Sequence, residues 1–490
     1  MSTRGGSDDN GLLKDLRKQV ALLEDDLRGR SESEDEFRER LLGEYGRAYA
    51  ADRTASTYEA WRDERVTQVA AAWVLGCVFV RFCEDNGLIA RNWLAGVGEH
   101  LKDAEDHDAA FFAAHPDKND RDWIVASFEH LAGTNPTVAG LFDRAHNPLW
   151  EITPSYEAAS TLLKFWRRVG ADGEIVHSFV DADLDTRFLG DLYQDLSEHA
   201  RKTYALLQTP VFVEKFILDL TLEPAVKEFG LSPVVEIRDG HGEVRELEPG
   251  LRTIDPACGS GHFLLGTFER LLEKWRAEEK GTDDWTLIRR ALASVHGCDK
   301  NPFAVAIARF RLVVAVLKAA EKRRLDTLGE FPINVAVGDS LLHGRGAPTR
   351  ESENLFSSEE VFHYRTEDIE EYTERCDLLT RDTYHVVVGN PPYITVKDKQ
   401  ENLNYRVYES CSGKYALSVP FAERLFQLAV RTSGPQRDVG SGYVGQITAN
   451  SFMKREFGKK LIEEFFNLEP KHGSCHVGRL VVTGGVVGGY

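Results

Sequence analysis

Residues 252–263 read RTIDPACGSGHF. A short β-rich run ends at Asp255, and a turn holding Gly259 and Gly261 leads into a helical pattern over about 261–277. Glycine at such a turn lets the backbone approach a ligand closely, and the helix N-terminus that follows favours negative charge. A plain tight turn between strand and helix uses the same residues. Four further β-rich runs follow: VHGCD (295–299), INVAVGD (333–339), YHVVVGN (384–390) and GYVGQIT (442–448). Long helical patterns over about 302–323 and 415–431 alternate with them. This alternation predicts a parallel sheet with crossover helices, the doubly wound α/β architecture. Residues 344–380 are acidic and loop-like and read as an insertion before the fourth strand of this series.

Upstream the texture differs. Residues 187–218 read as two helices joined at Thr209-Pro210, with threonine able to cap and proline suited to the first helical turn. PVVEIRDGHGEVREL (233–247) reads as a hairpin turning at Asp239–Gly242. Before residue 187 the chain is mainly helical, with patterns around 34–50, 57–85, 122–132 and 156–168, and residues 1–10 have the composition of a disordered tail. Leu13, Leu16, Val20, Leu23 and Leu27 follow a heptad, too short for a coiled coil and read as a docked amphipathic helix. The expected organisation is a tail (1–10), a helical N-terminal domain (11–186), an α/β domain (187–470) and an atypical glycine-rich end (471–490).

Composition narrows the class. The chain has 490 residues, 42% hydrophobic and 10% aromatic, enough for several buried cores. A formal charge of -19 argues against a uniformly basic surface, although a local basic cleft can coexist with an acidic exterior. The cysteines are 7 in number, scattered and without a Cys-x-x-Cys pair, which speaks for reduced thiols rather than disulfides or a zinc ribbon. Val69–Val80 is apolar but too short to span a bilayer and reads as a buried helix. The first ten residues lack the apolar core of a signal peptide, so a cytoplasmic protein without membrane attachment is expected. Asp103, Asp106, His107, Asp108, His115 and Asp117 read as a solvated surface rather than a metal site.

Two carboxylates and one loop carry the chemistry. Asp299, just past a strand and before a helix, can accept both hydroxyls of a ribose or simply cap the helix. Asp339 also ends a strand, where it can accept from an adenine amine or cap the loop. Asn390-Pro391-Pro392-Tyr393 directly follows an apolar strand. A nucleobase amine is a poor nucleophile because its lone pair is delocalised into the ring. The Asn390 side-chain oxygen and the Pro391 carbonyl can accept from that amine and draw its nitrogen towards tetrahedral geometry, while the prolines stiffen the loop. Tyr393 offers a face on which a base rotated out of a duplex can stack. A rigid turn after a strand is the bland alternative.

In this order, DPACGSGHF, the two acidic strand ends and NPPY resemble the amino-methyltransferases of DNA, and within them the N6-adenine subgroup. Thr209-Pro210 with Phe212 and Phe216 is similar to a short cofactor-contacting segment of that subgroup, which often has tyrosine where this chain has Gln208. The resemblance implies a Rossmann-like methyltransferase sheet using S-adenosyl-L-methionine on double-stranded DNA, with no metal. It implies cofactor contacts from Thr209, Pro210, Asp255, Pro256, Ala257, Cys258, Gly259, Gly261 and Phe263. Asp299 would lie at the ribose and Asp339 at the adenine of the cofactor, with Asp255, Gly259 and Gly261 near the methionine moiety. Asn390, Pro391, Pro392 and Tyr393 would hold the target base, and Phe421 would pack beneath it. The helical N-terminus looks like that of large methyltransferases of the BREX phage-exclusion type, the PglX-like group, which implies a phage-defence or restriction-modification setting and other defence proteins as partners.

Two features complicate this picture. After ANSFMKREFGKKLIEEFF the family pattern proceeds to further strands and a target-recognition domain, whereas this chain runs KHGSCHVGRLVVTGGVVGGY, as a truncated or frame-shifted end would. NPPY also serves enzymes acting on a protein glutamine or an RNA guanine, and a non-catalytic component binding cofactor or DNA could keep the same motifs. A cytosine-C5 mechanism would need a nucleophilic cysteine beside Pro391 or Pro392, and none is near. Cys258 reads as a small packing residue.

Overall fold

The computed structural model describes residues 8–195, 209–238, 244–348, 362–431, 440–448 and 458–465. Five strands form one parallel sheet: β3 (Thr253–Asp255), β4 (Val295–Asp299), β5 (Asn334–Val337), β6 (Val386–Gly389) and β7 (Tyr443–Gln446). Their order across the sheet is β5-β4-β3-β6-β7. The chain therefore steps outwards from β3 through β4 to β5, then returns to the other side of β3 for β6 and β7. At the β3/β6 boundary the loops following these two strands depart in opposite directions and leave a crevice at the strands' carboxyl ends. The register Thr253↔Val386 and Ile254↔Val387 sets the ends of β3 and β6 side by side.

The strands read as nearly continuous apolar runs because both faces are covered. Val335, Val337, Val386 and Val388 face one core, shared with the helices His262–Glu278, Pro302–Ala319 and the N-terminal helices. Ile254, Cys298, Ala336 and Val387 face a second core built with the helix Ser418–Leu428. This alternation is the period of two expected of a strand. The hairpin strands β1 (Glu236–Arg238) and β2 (Val244–Glu246) pair antiparallel as read, with the turn itself outside the described residues.

The helix Asp8–Ser33 buries Leu16, Val20, Leu23 and Leu27 and packs on the helix Tyr58–Asp85, so the heptad is a docked amphipathic helix. The latter helix is long and apolar enough to cross a membrane, yet its apolar stretch is wholly buried in the protein. Phe79 stacks on Phe310 of the helix Pro302–Ala319 at 4.3 Å, which joins the N-terminal helices to the sheet region. All six described cysteines are free, and Cys475 lies outside the described residues.

Three readings change. Residues 344–380 are not loop throughout: Ile369–Cys376 is a helix. Ile369, Leu378 and Leu379 are buried, and Asp368 accepts from the Val337 amide (2.7 Å) and from Arg309 (2.5 Å). The acidic composition hid a segment that covers the edge of β5. The helix Asp284–Ala293 was not foreseen. Of the acidic, histidine-containing stretch, Asp103, Asp106, His115 and Asp117 are exposed, but His107 packs edge-on against Trp93 and Trp123 and Asp108 pairs with Arg167.

Candidate active site

The site forms where two loops meet. β3 ends in Asp255, whose carboxylate oxygen lies 3.2 Å from where a Cβ on Gly389 would sit, so the roots of the glycine loop and the Asn390 loop touch. Both loops line one cavity of about 310 Å³. Gly259 (φ 51°) and Gly261 (φ 86°) take left-handed backbone conformations, which glycine adopts at no steric cost. A Cβ at Gly261 would also sit 3.1 Å from that of Ala308 on a crossing helix.

Asp299 fixes this loop. One of its oxygens accepts from Gly259 N (2.9 Å) and the other from Asn301 N (2.9 Å). The helix Pro302–Ala319 is capped by Asn301 instead, so capping does not account for Asp299. Asp255 accepts from Ala257 N (3.0 Å) and is otherwise enclosed. Burial pushes its carboxyl up to about 8; the Ala257 amide opposes the shift and the charge of Asp299 adds to it. His262, whose Nε2 is buried without a hydrogen-bond partner, is driven down to about 3 by burial and by Arg311, so its imidazole is neutral. Burial raises the Cys258 thiol well above its ordinary range, in keeping with a packing residue.

On the facing loop, Asn390 Nδ2 donates to Thr209 Oγ1 at 3.3 Å, and the Tyr393 hydroxyl donates to Asn390 Oδ1. Thr209 is thus turned towards Asn390 and does not cap the helix Val211–Phe229, where Pro210 occupies the N-cap position. Gln208 lies outside the described residues. Asp339 Oδ1 accepts from Leu341 N (3.0 Å), while Oδ2 accepts from Tyr405 (2.5 Å) and sits 3.8 Å from Lys300 Nζ.

Of the residues singled out in the sequence, Thr209, Asp255, Pro256, Ala257, Cys258, Gly259, Phe263, Asp299, Asp339, Asn390 and Pro392 line the cavity, as does Phe421. Pro210, Gly261, Pro391 and Tyr393 are next to lining residues but do not themselves line it, and Phe212 and Phe216 are exposed. What sequence reading missed is the opposite wall. Arg53, Thr54, Ser56, Trp61, Arg65 and Gln68 come from the N-terminal region, and Tyr364, Thr366 and Glu367 from the acidic segment. One signal was available, since Arg62, Arg65 and Gln68 recur at every third position just before the apolar run Val69–Val80 of the helix Tyr58–Asp85, and they are buried.

His343, His363 and Glu367 bring their ligand atoms within 4.8 Å of one another. The Arg53 guanidinium already supplies the cation there, 2.9 Å from Glu367 and 3.4 Å from His343 Nε2. Burial opposes the charge on Glu367, but Arg53 outweighs it and holds the carboxyl at about 2.

Comparisons with known proteins converge on one group. The sequence model of the Eco57I restriction-modification methylase family matches residues 293–469. The adenine-specific methyltransferase PglX of Streptomyces coelicolor is 50% identical over 94% of this chain and 37% of its own length. The type II restriction enzyme and methyltransferase RM.Eco57I of Escherichia coli is 23% identical over 81% of this chain and 37% of its own. Among solved structures, the ATP-dependent Type ISP restriction-modification enzyme LlaBIII bound to DNA overlays with a TM-score of 0.48 at 15% identity, covering 93% of this chain and 25% of that one. The chain thus spans a little over a third of the length of the curated relatives it matches. The resemblance to N6-adenine DNA methyltransferases, and to the PglX-like group, is borne out by the sequence matches.

Proposed function

With a chain 50% identical to an adenine-specific methyltransferase over 94% of its length as the premise, we propose that it methylates adenine N6 in double-stranded DNA using S-adenosyl-L-methionine, within a phage-defence or restriction-modification system of the cytoplasm. The observation that carries this is the meeting of the Gly259 and Asn390 loops in one cavity at the crevice between β3 and β6. The strand order β5-β4-β3-β6-β7 suits a Rossmann-like sheet, against which the helical N-terminal region packs in a shared core.

The residues present suit this cofactor. Asp255, buried, and Asp299, half-buried, are two acids lining one cavity, which favours a cationic ligand bearing hydroxyls. The unpartnered His262 Nε2 offers a further polar contact. Asp299 would take the ribose and Asp339 the adenine, with Thr209 and Pro210 flanking the methionine end. When bound, S-adenosyl-L-methionine supplies an electrophilic methyl on a sulfonium.

The chain's own residues prepare the nucleophile. Asn390 Oδ1 and the Pro391 carbonyl accept the two hydrogens of the amine and hold its nitrogen in line. Thr209 keeps the Asn390 amide from rotating, since it accepts from Nδ2 and so leaves Oδ1 facing the base. The Tyr393 hydroxyl occupies that oxygen and must leave it when the base enters, after which the ring can stack on the base. Tyr393→Phe removes a hydrogen bond that has to break and is expected to raise kcat/KM about fivefold. A hundredfold fall in steady-state assays would instead give the hydroxyl a part in the chemistry.

The proton on Asp255 gives a second expectation. Below about pH 8 the carboxyl is protonated in the free protein. A cationic ligand favours the anion, so binding releases a proton, and affinity for S-adenosyl-L-methionine rises by up to about tenfold per pH unit before levelling off above the folded pKa. Calorimetry in buffers of differing ionisation enthalpy counts the proton. Asp255→Asn should flatten the profile, and an unaltered profile in that variant would show that Asp255 is not its source.

The assay that decides the function is transfer of labelled methyl from the cofactor to duplex DNA, set beside ribosomal RNA and a release-factor protein. Label recovered as N6-methyladenine supports the proposal; label only on RNA or protein replaces it with the corresponding rival.

A further inference from the structure

The loop 51–57, between the helices Asp35–Ala50 and Tyr58–Asp85, brings Arg53, Thr54 and Ser56 to the cavity wall. Its attachment to the catalytic region converges on one carboxylate. Asp398 Oδ2 accepts from Thr54 Oγ1 (2.7 Å), Ala55 N (2.8 Å) and Ser56 Oγ (3.0 Å). Its Oδ1 accepts from Gln400 N (2.8 Å) and Glu401 N (3.1 Å), capping the helix Lys399–Asn404. All five donors are neutral, so the charge of Asp398 is what draws them to one point. A second tie runs from Asn404 Nδ2 to the Asp52 carbonyl (2.7 Å), where the backbone of Asp52 is left-handed (φ 55°). The helix held in this way also carries Glu401, which pairs with Lys300 and accepts from Tyr405 (3.1 Å), and both of these reach Asp339.

We propose that Asp398 is a positioning residue that pins the N-terminal loop as a roof over the nucleoside end of the cavity, so that residence of the cofactor depends on the bonds between Asp398, Thr54 and Ser56. This rests on the reading of the cavity as an S-adenosyl-L-methionine site.

Asp398→Asn separates the two tasks of the side chain. Asparagine caps helices as well as aspartate does, so the helix Lys399–Asn404 keeps its start. Its amide nitrogen, however, would face three donors and accept from none of them. In stopped-flow measurements on the full chain, with Trp61 in the cavity wall as the reporter, S-adenosyl-L-methionine should leave Asp398→Asn roughly tenfold faster than the native protein. KM for the cofactor should rise in parallel while kcat at saturating cofactor is retained, a split that general loosening of the fold would not give. The paired change Thr54→Val, Ser56→Ala removes the two hydroxyl bonds from the loop side, leaving that of the Ala55 amide, and decides the matter if Asp398→Asn fails to fold. Combining all three changes should add little to either alone. If the native chain binds no S-adenosyl-L-methionine, the reading of the cavity falls and this inference with it. If the native chain binds it and both variants release it at the native rate, the roof alone is overturned.

Discussion

Asn390→Ala is expected to lower the rate of methyl transfer to duplex DNA by about 10²–10³-fold, the usual effect of deleting one preorganised polar group at a reacting centre. One contact explains why so small a change is so costly. The amide is held at its nitrogen, which donates to Thr209 Oγ1 at 3.3 Å, so its oxygen is aimed before any base arrives. Alanine removes the acceptor and leaves Thr209 and Tyr393 without their partner. Binding of the cofactor should change little, because the glycine loop is fixed separately by Asp299 through the Gly259 amide. Methyl incorporation and cofactor affinity measured on the same preparation distinguish the two steps. Native rates in the variant would leave the loop as a scaffold and favour a component that binds without catalysing.

Arg81→Leu should lower the stability of the protein more than any surface change, by about 3–5 kcal/mol. Arg81, Glu84 and Asp85 have fully buried side chains, and Arg81 bonds to Glu84 at 2.8 Å and to both oxygens of Asp85 at 2.7 and 2.9 Å. Glu84 in turn accepts from Leu94 N (2.8 Å), and Asp85 accepts from Phe179 N (2.8 Å). Burial already works to raise the Glu84 carboxyl, with Arg81 opposing it. Leucine would strand two carboxylates in the core and loosen the segments they hold. The same helix carries Trp61 and Arg65 to the cavity, so the fold and the site weaken together. Denaturant titration measures the loss; an unfolding free energy within about 0.5 kcal/mol of native would mean that water reaches this cluster.

Much of the fold could be read in the residues because the strands are short apolar runs, three of which end at or next to a residue that the crevice uses. Asp255 and Asp299 end β3 and β4, and Asn390 follows β6 directly. Their neighbourhood was legible for the same reason: a parallel sheet delivers its strand ends to one edge. The distant half of the site was not. Nothing local in Arg53 or Thr54 announces that Glu367 and Asp398 lie opposite them, more than 300 positions along the chain. Such pairings are set by packing of the N-terminal helices, to which propensity and periodicity are blind. Composition also misled at 369–376, where EEYTER reads as solvated but one face, through Ile369, is buried under β5. Thr209 illustrates the finer limit, since a threonine before proline suits a helix cap, and only the arrival of Asn390 turns its hydroxyl elsewhere.

A crystal structure of the full chain with S-adenosyl-L-homocysteine bound tests the shared cavity most directly. The expected density lies across the Gly259 turn, the ribose at Asp299 and the sulfur facing the side chain of Asn390. Density in another cavity, or a sulfur turned away from Asn390 behind the glycine loop, would contradict it.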